Sequence, residues 1–149
     1  MSIKTVIYFL AGVGVLALLA TTFPSGQKNN DEGIQFFEGS LIEALAKAEE
    51  ENKLVFMDVY ATWCGPCKAL KQRTFPVKEV GDVFNTHFIN VAMDGEKGEG
   101  PEIVKKYGVR AYPTLLFLNP SGEVVHQFKG FRPAAEFLAI ANHVIENNK

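Results

Sequence analysis

The chain has 149 residues, of which 47% are hydrophobic and 21% charged, with twelve Phe, two Cys and a formal net charge of −2. That length and apolar share suit one domain with its own core plus short attachments, and the charged share is ordinary for a soluble domain. The near-balanced charge provides no basic field of the kind that nucleic-acid binding requires. After Lys4, the run from Val6 to Phe23 is uncharged and mostly apolar. Its length falls between a secretory core segment and a full membrane span. Residues 1–24 are therefore expected to be an uncleaved signal anchor or a cleaved signal peptide, with a buried soluble helix as the plainer reading. Either export reading puts the remainder outside the cytoplasm, periplasmic in a bacterium, and membrane-anchored or secreted, where disulfides persist. Residues 25–33, rich in Gly, Asn and charge, read as a flexible tether, and 34–149 as a single domain.

Within that domain, Ser40 and Glu43 form a capping-box pattern that opens a helix running to about Asn52. Leu54 to Tyr60 is a nearly continuous apolar run of strand length, as a strand covered on both faces requires. A helix is expected from the cysteine motif to Arg73 or Thr74, then a short element after Pro76 carrying Val80, Val83 and Phe84. Phe88 to Met93 reads as a strand, and Asp94 to Gly100 as a solvated acidic loop whose spacing fits no calcium site. Pro101 opens a helix ending at Gly108, Thr114 to Leu118 is a third strand, and Glu123 to Phe128 pairs back after a turn at residues 119–122. Arg132 and Pro133 begin the terminal helix. Alternation of strand and helix followed by a hairpin predicts an α/β fold, a central mixed sheet with helices on both faces.

The chemistry concentrates at Trp63-Cys64-Gly65-Pro66-Cys67-Lys68, which holds both cysteines of the chain. If a helix opens there, a spacing of three places the sulfurs on one face, with Cβ atoms near the roughly 3.5–4.5 Å that a disulfide needs. Gly65 and Pro66 fit a first helical turn, and a thiol at the helix N-terminus is acidified by amide hydrogens and the helix dipole. A thiolate beside a second thiol is the equipment of thiol–disulfide exchange. Half of a zinc site and a purely structural disulfide are the competing readings. His87, His126 and His143 are isolated, so no second ligand pair completes a zinc centre, and the histidines read as surface or packing residues. No metal is expected.

These motifs, with Val109-Arg-Ala-Tyr-Pro-Thr114 and Asn119-Pro-Ser-Gly-Glu123, resemble those of the thioredoxin-fold family. The Arg73-Thr-Phe-Pro76 segment and the long Asp94 loop are similar to the branch that includes the C-terminal periplasmic domain of transmembrane thiol–disulfide interchange proteins. The resemblance implies a thioredoxin fold, with Cys64 as exposed nucleophile and Cys67 as buried resolving thiol. It implies a cis bond before Pro113, which composition alone would make trans. Tyr112 would contact substrate or simply pack; Trp63, Gly65 and Pro66 would line the substrate groove, with Tyr60 framing the site or filling the core. Gly130 matches either a glycine that lets substrate approach or an ordinary turn.

Asp58, six residues before Cys64, matches the family's buried acid. Among Val55, Phe56, Met57 and Val59 its pKa is expected to rise, suiting proton exchange with Cys67 directly or through water; a strand-end Asp reaching solvent is the alternative. Two departures stand out. The family's lysine partner for this acid falls at Asn90, and Gln72 replaces a proline that often bends the helix. The resemblance implies a protein-disulfide oxidoreductase, in the reducing direction if the Gly-Pro insert is a guide. It needs no cofactor beyond the Cys64–Cys67 dithiol, and its expected partners are disulfide-containing proteins and an electron donor. It would act as a monomer, without nucleic acid, touching the membrane through its N-terminal segment. A tethered non-catalytic binding module is the rival function, and cytochrome c maturation a specialisation of the first.

Overall fold

Three short stretches of sequence decide where the sheet and its helices meet. The first is Ser40, whose side chain accepts from the Glu43 amide while the Glu43 carboxylate accepts from the Ser40 amide, so both halves of the capping box form. It starts α1 (Leu41–Glu51), which ends at Asn52 in a left-handed conformation. The second is the apolar run β1 (Leu54–Tyr60), and the third is β3 (Thr114–Leu118), buried along its whole length. The computed structural model describes residues 32–148. The N-terminal apolar run and residues 25–31 of the expected tether lie outside the described residues.

Between those strands lie α2 (Gly65–Arg73), α3 (Lys78–His87), β2 (Phe88–Asp94) and α4 (Gly100–Lys106). The chain closes with β4 (Val124–Lys129) and α5 (Ala134–Asn147). The sheet order is β2-β1-β3-β4, with β1 parallel to β2 and antiparallel to β3, and β3 antiparallel to β4. This is the expected mixed sheet. Alternation along β1 and β3 divides the core in two. Val55, Met57, Val59, Leu116 and Leu118 pack with α1 and Ile103 of α4 on one face. Phe56, Leu115 and Phe117 pack with Leu70, Phe75, Phe84 and Phe137 on the other. The second face is an aromatic cluster, in which Phe84 and Phe137 stack at 4.5 Å and Phe56 meets Phe84 edge-on at 4.9 Å. Asp58 alternates with Phe56 and so projects to this aromatic face, beneath α2.

Residues 33–37 lie along the outer edge of β2 and act as a strap. Phe36 bridges Asn90 in parallel, Phe37 N donates to Asn90 O at 2.8 Å, and Ile34 N donates to Phe75 O at 2.9 Å. Asn85 fastens the strap from α3, accepting from Gln35 N and donating to Gly33 O. The buried Asn90 donates its side-chain amide to Gln35 O at 3.2 Å. Backbone groups at a sheet edge need partners, and here Phe37 supplies one, for the Asn90 carbonyl.

Candidate redox site

The site sits where β1 ends and α2 begins. Cys64 is the N-cap of α2 in an extended conformation, and its Sγ accepts from the Cys67 amide at 3.2 Å. Pro66 lies in the first turn, where a missing amide hydrogen leaves nothing unsatisfied. The helix continues without a break through Gln72, as replacement of the proline there allows. Cys64 and Cys67 are joined as a disulfide with Cα atoms 5.3 Å apart. The pairing that the spacing permitted is therefore made.

The surroundings of the two sulfurs differ. Cys67 lines a cleft of about 410 Å³ together with Asp58, Tyr60, Ala61, Thr62, Lys68, Lys71, Phe75, Ala92 and Phe36 of the strap. Cys64 is not part of that lining; it packs with Ala61, Tyr60 and Tyr112. The expectation that Cys64 would be openly exposed is not met. It is 3% exposed and Cys67 6%, because the linked sulfurs are turned into this small cluster. The residue that protrudes is Trp63, 66% exposed.

Asp58 is 5% exposed, and its Oδ1 is buried without a hydrogen-bond partner. Burial pushes its pKa up to about 7, an effect that the positive charge of Lys71 partly offsets. The expected rise is present, and the solvent-facing alternative is not what the structure holds. At this value the carboxyl exchanges protons near neutrality, and it shares the cleft with Cys67. Asn90, at the position of the family's lysine, points its amide to Gln35 and Asn85 instead.

On the outer side, the Tyr112–Pro113 peptide is cis. Gly130 has φ +83° and donates its amide to Pro113 O at 3.0 Å, which places it beside the proline. Tyr112 meets Trp63 edge-on at 6.0 Å, and burial raises the pKa of its hydroxyl. The indole Nε1 of Trp63 donates to both carboxylate oxygens of Glu96 at 3.1 Å. Gly95 passes so close under Tyr112 that a Cβ there would meet the hydroxyl at 2.5 Å.

The Asp94–Gly100 loop is thus not merely solvated. Glu96 clamps Trp63, Glu99 Oε1 accepts from the Leu41 amide at 3.0 Å, and Asp94 Oδ1 accepts from the Glu96 amide. Sequence reasoning also passed over Lys71, although its spacing of four from Cys67 places both on one helix face. Gly65 borders open space, Tyr60 is half-buried beside the disulfide, and Pro66 stands in the exposed first turn. Among the described residues no cluster of three or more His, Cys, Asp or Glu side chains is arranged to hold a metal ion, and no helix is long and apolar enough to cross a membrane.

A family profile described as "Thioredoxin-like domain" matches residues 41–145. The solution structure of a Bacteroides thetaiotaomicron protein described as a candidate disulphide-isomerase is 54% identical, with a TM-score of 0.68 over 76% of this chain and 94% of that one. Thioredoxin-2 of Pyricularia oryzae is 38% identical over 64% of this chain and 53% of its own length. The thiol:disulfide interchange protein DsbD of Pseudoalteromonas atlantica is 28% identical over 69% of this chain and 18% of its own. The chain thus spans about half of the first curated relative and under a fifth of the second.

Proposed function

The chain belongs to the thioredoxin-like domain family, and from that premise we propose that it is a protein-disulfide oxidoreductase working through the Cys64/Cys67 pair. The observation that carries the reading is the pairing of these cysteines beside Asp58, a buried acid with a pKa near neutrality. Incidental cysteines in a binding module would have no use for a proton-exchanging carboxyl in a shared cleft. In the reducing direction, the Cys64 thiolate attacks one sulfur of a substrate disulfide, and the other substrate sulfur leaves as a thiolate that takes up a proton. Asp58, as carboxylate, then accepts the proton of the Cys67 thiol, directly or through water in the cleft. The Cys67 thiolate attacks Cys64 Sγ, and the electron pair of the mixed-disulfide bond leaves with the substrate sulfur, which is protonated. The substrate disulfide is reduced to two thiols and the protein dithiol oxidised to the disulfide. A dithiol donor resets it, with no further cofactor.

Cys64 is assigned the attacking role because it is the helix N-cap, while Cys67 takes the resolving role because it faces the cleft with Asp58. Trp63, Tyr112 and Pro113, with Gly65 and Pro66 at the helix start, form the face that receives a substrate chain. The uncharged run from Val6 to Phe23 supports a site of action outside the cytoplasm, with disulfide-containing exported proteins as substrates. The test is a trapping experiment in the native cell envelope. A Cys67→Ser variant is expected to accumulate mixed disulfides through Cys64, and Cys64→Ser to lose all turnover. Full activity in Cys64→Ser would end the proposal.

A further inference from the structure

Asp58 occupies a position where the sheet offers no counter-charge. Its register partners are Ala92 on β2 and Leu115 on β3. Asn90, the nearest polar side chain along that face of β2, is engaged with the strap and with Asn85. The titratable and charged groups that share the cleft with Asp58 are Tyr60 from β1 and Cys67, Lys68 and Lys71 from α2; the rest of the lining is uncharged, apolar except for Thr62. Lys71 lies one helical turn beyond Cys67 on the same face, in the last turn of α2. Among the described residues no carboxylate is in ion-pair contact with it. Lys71 is exposed and lines the cleft with Asp58, whose proton its positive charge makes easier to lose.

We infer that Lys71 is a positioning residue for the resolving step, the cation that serves buried Asp58 from the helix because the sheet supplies none. The inference rests on the oxidoreductase reading and adds to it an element, α2, that holds both the resolving thiol and the charge that opposes the effect of burial on its acid. A carboxylate that must accept the Cys67 proton has to exist in its charged form part of the time. Burial opposes that form, and a positive charge at the mouth of the cleft favours it. The bland role for Lys71, a basic residue favourable at a helix C-terminus, would affect helix stability but not the titration of Asp58.

The two roles separate in a carbon-13 carboxyl titration of Asp58 in the oxidised full-length chain, comparing wild type, Lys71→Met and Lys71→Arg. The Met variant is expected to move the Asp58 midpoint up by at least about half a pH unit, while Arg keeps it at the wild-type position. Added salt is expected to narrow the gap between wild type and Met, because the ammonium is exposed. In single-turnover reaction of the reduced proteins with a synthetic aromatic disulfide, the low-pH limb of the resolving step should move with the midpoint. Below it, the Met variant should resolve about threefold more slowly, with the difference vanishing at high pH. Superimposable Asp58 titrations for wild type and Lys71→Met, or an Arg variant that follows Met, would overturn the inference. Failure of the wild type to react with any disulfide would instead defeat the oxidoreductase reading, leaving the titration to decide on Lys71.

Discussion

Asp58 is the residue at which stability and chemistry pull in opposite directions. Its folded carboxyl titrates at about 7, against an ordinary value of 3.8. Below the ordinary value it is protonated in both folded and unfolded chains, and its burial is tolerated. As the pH climbs from there through about 7, the unfolded chain has released its proton while the folded one either retains it or carries a buried charge. Stability is therefore lost across that window, by about 4 kcal/mol at most. Asp58→Asn removes the titration but adds a fixed cost for a buried amide, so the informative quantity is how the variant's stability relative to wild type changes with pH. Urea unfolding of the oxidised proteins at pH 4 and pH 8 should show Asn gaining on Asp by up to that amount. A difference that stays flat would mean that the carboxyl is not held above its ordinary range. The same substitution should slow resolution of mixed disulfides near neutrality, since an amide cannot accept the Cys67 proton.

Among the elements, the Asp94–Gly100 loop reaches furthest into the proposed substrate face and gave the least sign of it in the sequence. Its Glu96 holds the Trp63 indole from 33 residues away, and Gly95 makes room for the Tyr112 hydroxyl. Release of the indole by Glu96→Ala should raise KM for a folded disulfide-bonded protein about two- to fivefold, the scale of one ordinary solvent-exposed hydrogen bond. The rate with a small aromatic disulfide, which needs no extended groove, should hardly change. Equal effects on both substrates would assign Glu96 to the chemistry rather than to the groove. Elements written in local sequence were readable with little error: the capping box at Ser40 and Glu43, the apolar runs of β1 and β3, and the Cys64–Cys67 spacing. Contacts between distant segments were not. Nothing around Glu96 announces Trp63, and nothing in Ile34 to Phe37 announces an edge partner for β2. The burial of Cys64 was misjudged for the same reason, because Tyr112 arrives from 48 residues further along the chain.

For the molecule as a whole, the strap stands both at the outer sheet edge and at the cleft of the site. Phe36 meets Phe75 edge-on at 5.5 Å and also lines the cleft that holds Asp58 and Cys67. Two truncated chains, one beginning at Glu32 and one at Gly39, isolate its contribution. The shorter chain loses the hydrogen bonds of Ile34 to Phe75, Phe37 to Asn90 and Gln35 to Asn85, each worth about 1 kcal/mol net. It also loses the partial burial of Phe36, a further contribution on the order of 1–2 kcal/mol. A deficit of about 4–5 kcal/mol between the two is expected in chemical unfolding. Water admitted where Phe36 stood should also relieve the desolvation that raises Asp58, so its midpoint should fall in the shorter chain. These two effects have different origins, and a passive strap could produce the first without the second. A shorter chain that is less stable yet leaves the Asp58 titration unmoved would confine the strap to structure; a lowered midpoint would make the strap part of what sets the acid's affinity for its proton.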